Sequence, residues 1–348
     1  NLELSAFDMV EAMESRLLGI QATAPKAKAM VSVKTAVERA IETANSAAQS
    51  GTHLSGVTTG LRDLDWRTGG LQGGDLIVLG ARPSMGKTDL GWNIAINAAR
   101  AAAHGDVGGA VTAFFSLEMP SQQLGARLLA RAAGVPADRQ RRGDVTDDEF
   151  ARFAQAVPDF PLWIDDTARA TPAHIFSRCR RLQQRRGLGL VVVDHLAIMG
   201  APDGFRTQGE TAIITEITRE MKAIATTLGV PLLLLAQLNR GLAAREDKRP
   251  TLTDLRSSGS IEQDADSVWF LHREEYYLER SEPSRLSSET AEKFNDRYQE
   301  WQHRRDEARN IAEVIVAKQR LGPIGTERLH YDGAFSIFSD LQKTSWDD

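Results

Sequence analysis

Seven short apolar runs, separated by stretches of helical or polar character, constrain this chain more than anything else in it. They are "DLIVLG", "VTAFFS", "PLWIDD", "LGLVVVDH", "VPLLLLAQ", "SVWFLHR" and "EVIVAKQR". Several show no alternation between apolar and polar residues, so strands built from them have both faces buried. Strands of that kind with helices between them form a mostly parallel sheet flanked by helices, an α/β fold. The tail "TERLHYDGAFSIFSD" reads as a hairpin around Asp332–Gly333, which ends the sheet in antiparallel strands.

The 348 residues suit one α/β domain with additions. Hydrophobic residues at 42% and charged residues at 26% predict a folded core. No apolar run approaches the ~20 residues of a membrane span. The opening "NLELSAFDMVEAMESR" lacks the basic start of a secretory signal. Asn1 in place of Met leads us to expect a segment upstream. The single cysteine, Cys179, has no partner in the chain, which fits a reducing, cytoplasmic setting. A formal net charge of -5 argues against coating nucleic acid by bulk charge, but it leaves room for a local basic groove.

Leu4, Phe7, Val10, Met13, Leu17 and Ile20 recur at helical spacing and form one apolar stripe. It packs either on its own core or on a neighbouring subunit, and the pattern alone leaves both open. "QATAPKAKA" reads as a linker, and Met30 to Gln49 as a second, Ala-rich helix. Residues 1–50 are thus expected to be a helical arm and residues 51–348 the main domain. The charged stretch Glu279 to Asn310 reads as an exposed helix in an insertion. No internal repeat is visible.

"GARPSMGKTDLGWNIA" begins where the first apolar run stops and ends inside a helical pattern. Strand, loop, then helix is the setting that a phosphate-binding loop requires. Here the loop is Ala81, Arg82, Pro83, Ser84, Met85, Gly86, Lys87 and Thr88, with Ala where the usual pattern begins with Gly. Ala serves there provided that it does not need a positive φ. Backbone N–H groups and the positive helix end would face the phosphates. Lys87 would reach the β- and γ-phosphates of a nucleotide, and Thr88 would ligate Mg²⁺.

A carboxylate at a neighbouring strand end should complete the metal shell. "LVVVD" supplies Asp194, acting directly or through water, while Asp165 and Asp166 after "PLWI" are rivals on shape. His195 reads as a packing or hydrogen-bonding residue. Hydrolysis also needs a group to activate water. Glu118 in "SLEMP" stands just past a strand, although such an acid is also an ordinary companion of a helix start. Gln237 past "PLLLLA" is a candidate sensor of phosphate, or a plain surface amide.

Taken in order, "GARPSMGKT", "SLEMP", "LVVVD", "QLNR", "SGSIEQDAD" and "AKQRLGPIGT" closely resemble the bacterial replicative hexameric helicase of the DnaB type. The resemblance runs from about "TTGLRDLD" to the end, and the leading stripe looks like that family's linker helix. The family's N-terminal primase-interaction domain is not matched. The resemblance implies a RecA-like core in a homo-hexameric ring around single-stranded DNA at the replication fork. It implies 5′→3′ movement driven by ATP, with primase and a helicase loader as partners.

Carried over by position, Glu118 is the catalytic base, Asp194 supports the metal and Gln237 is the sensor. Lys318 and Arg320 match the basic pair that reaches a neighbour's γ-phosphate, with Arg320 as the finger. Arg256, Ser257 and Gly259, in the Ser/Gly-rich loop "RSSGS", match the segment that holds the DNA backbone. Arg206 in "APDGFRTQGE" is a candidate for a second channel loop. Two positions depart from the pattern: His195 stands where Tyr is frequent, and Ser257 where Glu is usual. A RecA-like recombination or repair ATPase is the alternative, but "SLEMP" together with "SGSIEQDAD" is not expected of one.

Overall fold

In the computed structural model, the described residues are 30–341, except 50, 53, 157–158, 203, 206, 240, 243–244, 246, 256–257 and 286–287. The elements begin with α1 (Val33–Gln49), α2 (Arg62–Thr68), β1 (Leu76–Ala81), α3 (Lys87–His104) and β2 (Thr112–Ser116). Then come α4 (Ser121–Ala133), α5 (Ala137–Arg142), α6 (Asp147–Gln155), β3 (Leu162–Asp165), α7 (Pro172–Arg186) and β4 (Leu190–Asp194). Next are α8 (Glu210–Leu228), β5 (Leu232–Gln237), α9 (Ser258–Asp264) and β6 (Ser267–His272). The chain closes with α10 (Glu274–Leu278), α11 (Ala291–Glu307), β7 (Ile311–Gln319), β8 (Gly325–Asp332) and β9 (Ile337–Asp340).

All seven apolar runs of the sequence are strands. Along β1, Leu76 and Val78 enter one apolar cluster while Ile77 and Leu79 enter another on the opposite face. Helix α3 covers the second face through Leu90, Trp92 and Ile94, and α8 covers the first through Ile217 and Met221. With both faces dry, every residue of β1 is buried, which is why the run shows no alternation.

The strands form one sheet in the order β3-β2-β4-β5-β1-β6-β7-β8-β9. Every pairing from β3 to β6 is parallel. The pairings of β6 with β7, β7 with β8 and β8 with β9 are antiparallel. The expected hairpin is therefore present as β8–β9. Its turn is longer than a two-residue type, running from Gly333 to Ser336, and the Asp332 carboxylate accepts from the Ala334 and Phe335 N–H groups.

The "TTGLRDLD" segment folds around the buried carboxylate of Asp65, which accepts from the Thr59 N–H and both threonine hydroxyls. Burial raises the Asp65 pKa, and these hydrogen bonds oppose the rise. The charged stretch after β6 does contain an exposed helix, α11. It is anchored by Trp301, which packs with Leu278 and Ala308. Helix α1 stands in place of the expected Met30–Gln49 helix and leaves Val33, Val37 and Ile41 exposed. The stripe from Leu4 to Ile20 lies outside the described residues. No helix among the described residues is long and apolar enough to cross a membrane.

Candidate active site

The loop after β1 turns tightly because two residues adopt left-handed backbone, Ser84 at φ 66° and Gly86 at φ 91°. Gly86 is required twice over. Its φ disfavours any side chain, and an added Cβ would stand 3.2 Å from the Phe338 ring. Ala81 is the last residue of β1 and has no positive φ, so the missing first glycine costs the loop nothing. Helix α3 starts at Lys87 and aims its N-terminal N–H groups at the same space. Met85 is buried beneath the loop and does not line the cleft.

Lys87, Thr88 and Asp194 meet at the carboxyl ends of β1 and β4, where an open parallel sheet places its ligands. The Thr88 hydroxyl donates to Asp194 Oδ2 at 2.6 Å. Lys87 Nζ stands 3.6 Å from Asp194 Oδ1, an ion-pair separation. That buried Oδ1 has no hydrogen-bond partner among the described residues. Burial pulls the Lys87 pKa down, and Asp194 and Glu118 hold it up. A hydroxyl and a partly unsatisfied carboxylate, side by side, are the hard oxygen donors that suit Mg²⁺. Among the described residues no group of three or more His, Cys, Asp or Glu side chains could hold a metal. The site fits an ion that completes its shell with phosphate and water.

The rival carboxylates belong elsewhere. β3 is the outermost strand on its side, separated from β4 by β2. Asp165 binds His174 at 3.1 Å and Arg178 at 3.4 Å, and Asp166 accepts from the Ser121 N–H at 2.8 Å.

The loop borders a cleft of about 370 Å³ that Glu118 and Gln237 also line. Glu118 precedes α4 rather than lying in its first turn, and its side chain is 61% exposed. Gln237 ends β5 directly beside Ala81. His195 is buried, as expected of a packing residue, yet its Nε2 also stands 3.4 Å from Glu118 Oε2. Burial first, and then Lys87, lower the His195 pKa to about 4, against a pull from Asp194, so the ring is neutral at pH 7.

Two cleft residues escaped the sequence reading. Arg127 of α4 and Tyr331 of β8 both line the cleft and both bind Asp89, the residue after Thr88. Arg127 Nη1 donates to Oδ1 at 2.6 Å and Tyr331 Oη to Oδ2 at 2.9 Å. The available signal was helical spacing: Arg127 and Arg131 lie four apart on α4, and both reach α3, at Asp89 and Asn93.

Lys318 and Arg320 are not in this cleft. The strand register sets Gln319 opposite Ser267, at the start of β6. Arg320 Nη1 lies 2.9 Å from Asp266, whose other carboxylate oxygen accepts from the Leu76 N–H at 2.8 Å. The pair therefore sits at the amino end of β1, while the loop leaves its carboxyl end. Five residue steps of a strand separate those ends by roughly 16 Å. Of the residues assigned to DNA, Arg256, Ser257 and Arg206 lie outside the described residues. Gly259 is exposed, but it belongs to the first turn of α9 rather than to a loop. The correction has a local cause: the helix begins at Ser258, as soon as the chain needs to bury Ile261.

The family described as the DnaB-like helicase C terminal domain matches residues 56–340. The replicative DNA helicase DnaB of Rickettsia bellii (strain RML369-C) is 38% identical over 349 aligned positions, covering 98% of this chain and 69% of that protein. The replicative DNA helicase DnaB of Haemophilus influenzae (strain ATCC 51907 / DSM 11121 / KW20 / Rd) is 42% identical over 294 positions, covering 83% and 56%. Among solved structures, one described as an ATPase domain superposes with a TM-score of 0.75 at 29% identity, over 90% of this chain and all of that one. A DnaB-like replicative helicase, solved in a study of its interactions with primase, gives 0.72 at 29% identity, over 96% and 72%. With its RecA-like fold and nucleotide cleft, the chain belongs to the DnaB-like helicase family and carries the ATPase domain of a replicative DNA helicase.

Proposed function

We propose that this chain is the motor of a homo-hexameric ring that translocates 5′→3′ on single-stranded DNA and opens the duplex at the replication fork. The observation that carries the reading is the meeting of Lys87, Thr88, Asp194, Glu118 and Gln237 around one cleft. ATP is the substrate. The loop N–H groups and Lys87 hold its β- and γ-phosphates. Thr88 and Asp194 would hold Mg²⁺, which would supply neutralisation of the phosphate charge. Glu118 takes the proton of the attacking water, with the neutral His195 ring against it. Gln237 senses the γ-phosphate from the end of β5.

Arg320 and Lys318 serve the next subunit's cleft. The roughly 16 Å between the ends of β1 supports an action in trans, because neither side chain is placed to reach its own loop. Residues 51–348 form the ATPase domain in this reading, and residues 1–50 the arm that links subunits. Arg256, Ser257, Gly259 and Arg206 are the residues assigned to binding the single strand. Primase and a loader are the expected partners, and the cytoplasm is the expected compartment. The test is unwinding of forks carrying a single 5′ or 3′ tail, with ATP and Mg²⁺. Opening of only the 5′-tailed fork is expected, and opening of only the 3′-tailed fork would reverse the assignment of direction.

A further inference from the structure

Asp266 does more than end the "SGSIEQDAD" motif. It is buried, and each of its carboxylate oxygens is used. Oδ2 accepts from the Leu76 N–H at 2.8 Å and from Lys222 Nζ at 2.6 Å, which fixes the carboxylate to the start of β1 and to α8. Oδ1 is left for Arg320, whose Nη1 stands 2.9 Å away. The backbone repeats the link, since the Arg320 N–H donates to the Asp266 carbonyl at 2.9 Å. Arg320 Nη2 also donates to the Gln263 carbonyl at 3.2 Å. Lys318 Nζ donates to the carbonyls of Glu262 and Ala265. The cationic pair thus occupies the carbonyl end of α9, where positive charge is favoured.

We propose that Asp266 is the positioning residue of the finger. It holds the Arg320 guanidinium at the subunit edge, in the orientation from which it enters the neighbouring cleft. This rests on the reading of Arg320 as a group acting in trans. An arginine side chain has many rotamers, and holding one of them in advance removes an entropic cost from the step that uses it. Asp266 is suited to this because its own position is set from two sides, by β1 and α8. The same α9 carries Gly259 at its other end, so a displacement of that helix by DNA would reach the finger through the Glu262, Gln263 and Ala265 carbonyls.

The experiment uses mixed hexamers of the full chain, with assembly followed by light scattering. Asp266→Asn alone should lose up to about 10²-fold in ATP hydrolysis, the cost of a misplaced group, with KM for ATP unchanged. Mixed with Lys87→Ala, it should regain activity as an Arg320→Ala and Lys87→Ala mixture does, because its own loop is intact. Asp266→Asn combined with Arg320→Ala should be no worse than Arg320→Ala alone. A mixture that stays inactive while the Arg320→Ala mixture recovers would overturn the proposal, and so would a further loss in the double variant. Lys222→Met removes the α8 anchor of the same carboxylate but leaves the Leu76 N–H, so it should lose no more than Asp266→Asn and should recover in the same mixture; a loss that mixing with Lys87→Ala does not recover would point to the fold and also overturn it. If Asp266→Asn fails to assemble, Asp266→Glu keeps the charge, misplaces the guanidinium by one methylene and gives the same reading by mixing. If the Arg320→Ala control does not recover, the trans reading fails. The double variant within one chain then still tests Asp266 against Arg320.

Discussion

The Thr88 hydroxyl and the Asp194 carboxylate share a 2.6 Å hydrogen bond that joins the first turn of α3 to the end of β4. They are 106 residues apart in the chain, and only the parallel pairings of β1 with β5 and β5 with β4 bring them together. With Lys87 3.6 Å from the other carboxylate oxygen, the three side chains form one charge-balanced unit. Lys87→Ala is therefore expected to abolish hydrolysis, because the phosphates lose their fixed positive partner. A phosphate-release assay with excess ATP checks it, and turnover at the wild-type rate would remove Lys87 from the site.

Glu118→Gln keeps the shape of the side chain and removes the base. Turnover is expected to slow ~10²–10⁴-fold while nucleotide binding is retained. Binding of a fluorescent ATP analogue, measured beside turnover, separates the two. Loss of binding would assign Glu118 to holding the nucleotide instead.

Helix α1 leaves Val33, Val37 and Ile41 exposed at 80%, 50% and 62%, spaced by four residues on one face. Burying an aliphatic side chain contributes ~1.5–3 kcal/mol, so three of them on a neighbouring subunit would weigh heavily in assembly. Replacing Val37 and Ile41 by Asp should shift the light-scattering mass toward smaller species. An unchanged mass would leave that face without a role in assembly.

Arg256 is proposed to hold the DNA backbone, and such a contact should be blind to sequence. Each phosphate neutralised on a single strand contributes about -0.7 to the slope of log K against log salt. Arg256→Ala should flatten that slope and weaken binding about equally for all base compositions. Anisotropy of labelled oligonucleotides across a salt series measures both quantities.

Cys179 is fully buried in the core under α7, and burial pushes its thiol pKa well up. Thiolate is the reactive form, so an aromatic disulfide reagent should label it slowly in the native protein and quickly in denaturant. Rapid native labelling would show that this face of the sheet opens readily.

The central strands and the phosphate loop were legible in the sequence because both depend on local pattern. β1 is apolar throughout, β4 and β5 are apolar up to their last residues, Asp194 and Gln237, and Gly86-Lys87-Thr88 must follow a strand to work. Asp194 was chosen from the shape of "LVVVD" beside the loop and from the family resemblance, but setting Asp165 and Asp166 aside needed the strand order, since no local signal encodes that β3 is the edge. Tyr331 was hidden for the same reason, reaching Asp89 across 242 residues through the antiparallel end of the sheet. Helix α9 has only seven residues, too few to show a helical period, so Gly259 read as part of a loop.

Asp266 and the phosphate loop lie at opposite ends of β1. Under the proposed action of Arg320 in trans, one copy of the chain carries two half-sites at opposite ends of one strand, and a folded monomer is not yet an enzyme. Dilution alone should switch it off: below the dissociation constant of the ring, hydrolysis per mole of protein should collapse while the melting of the domain itself persists.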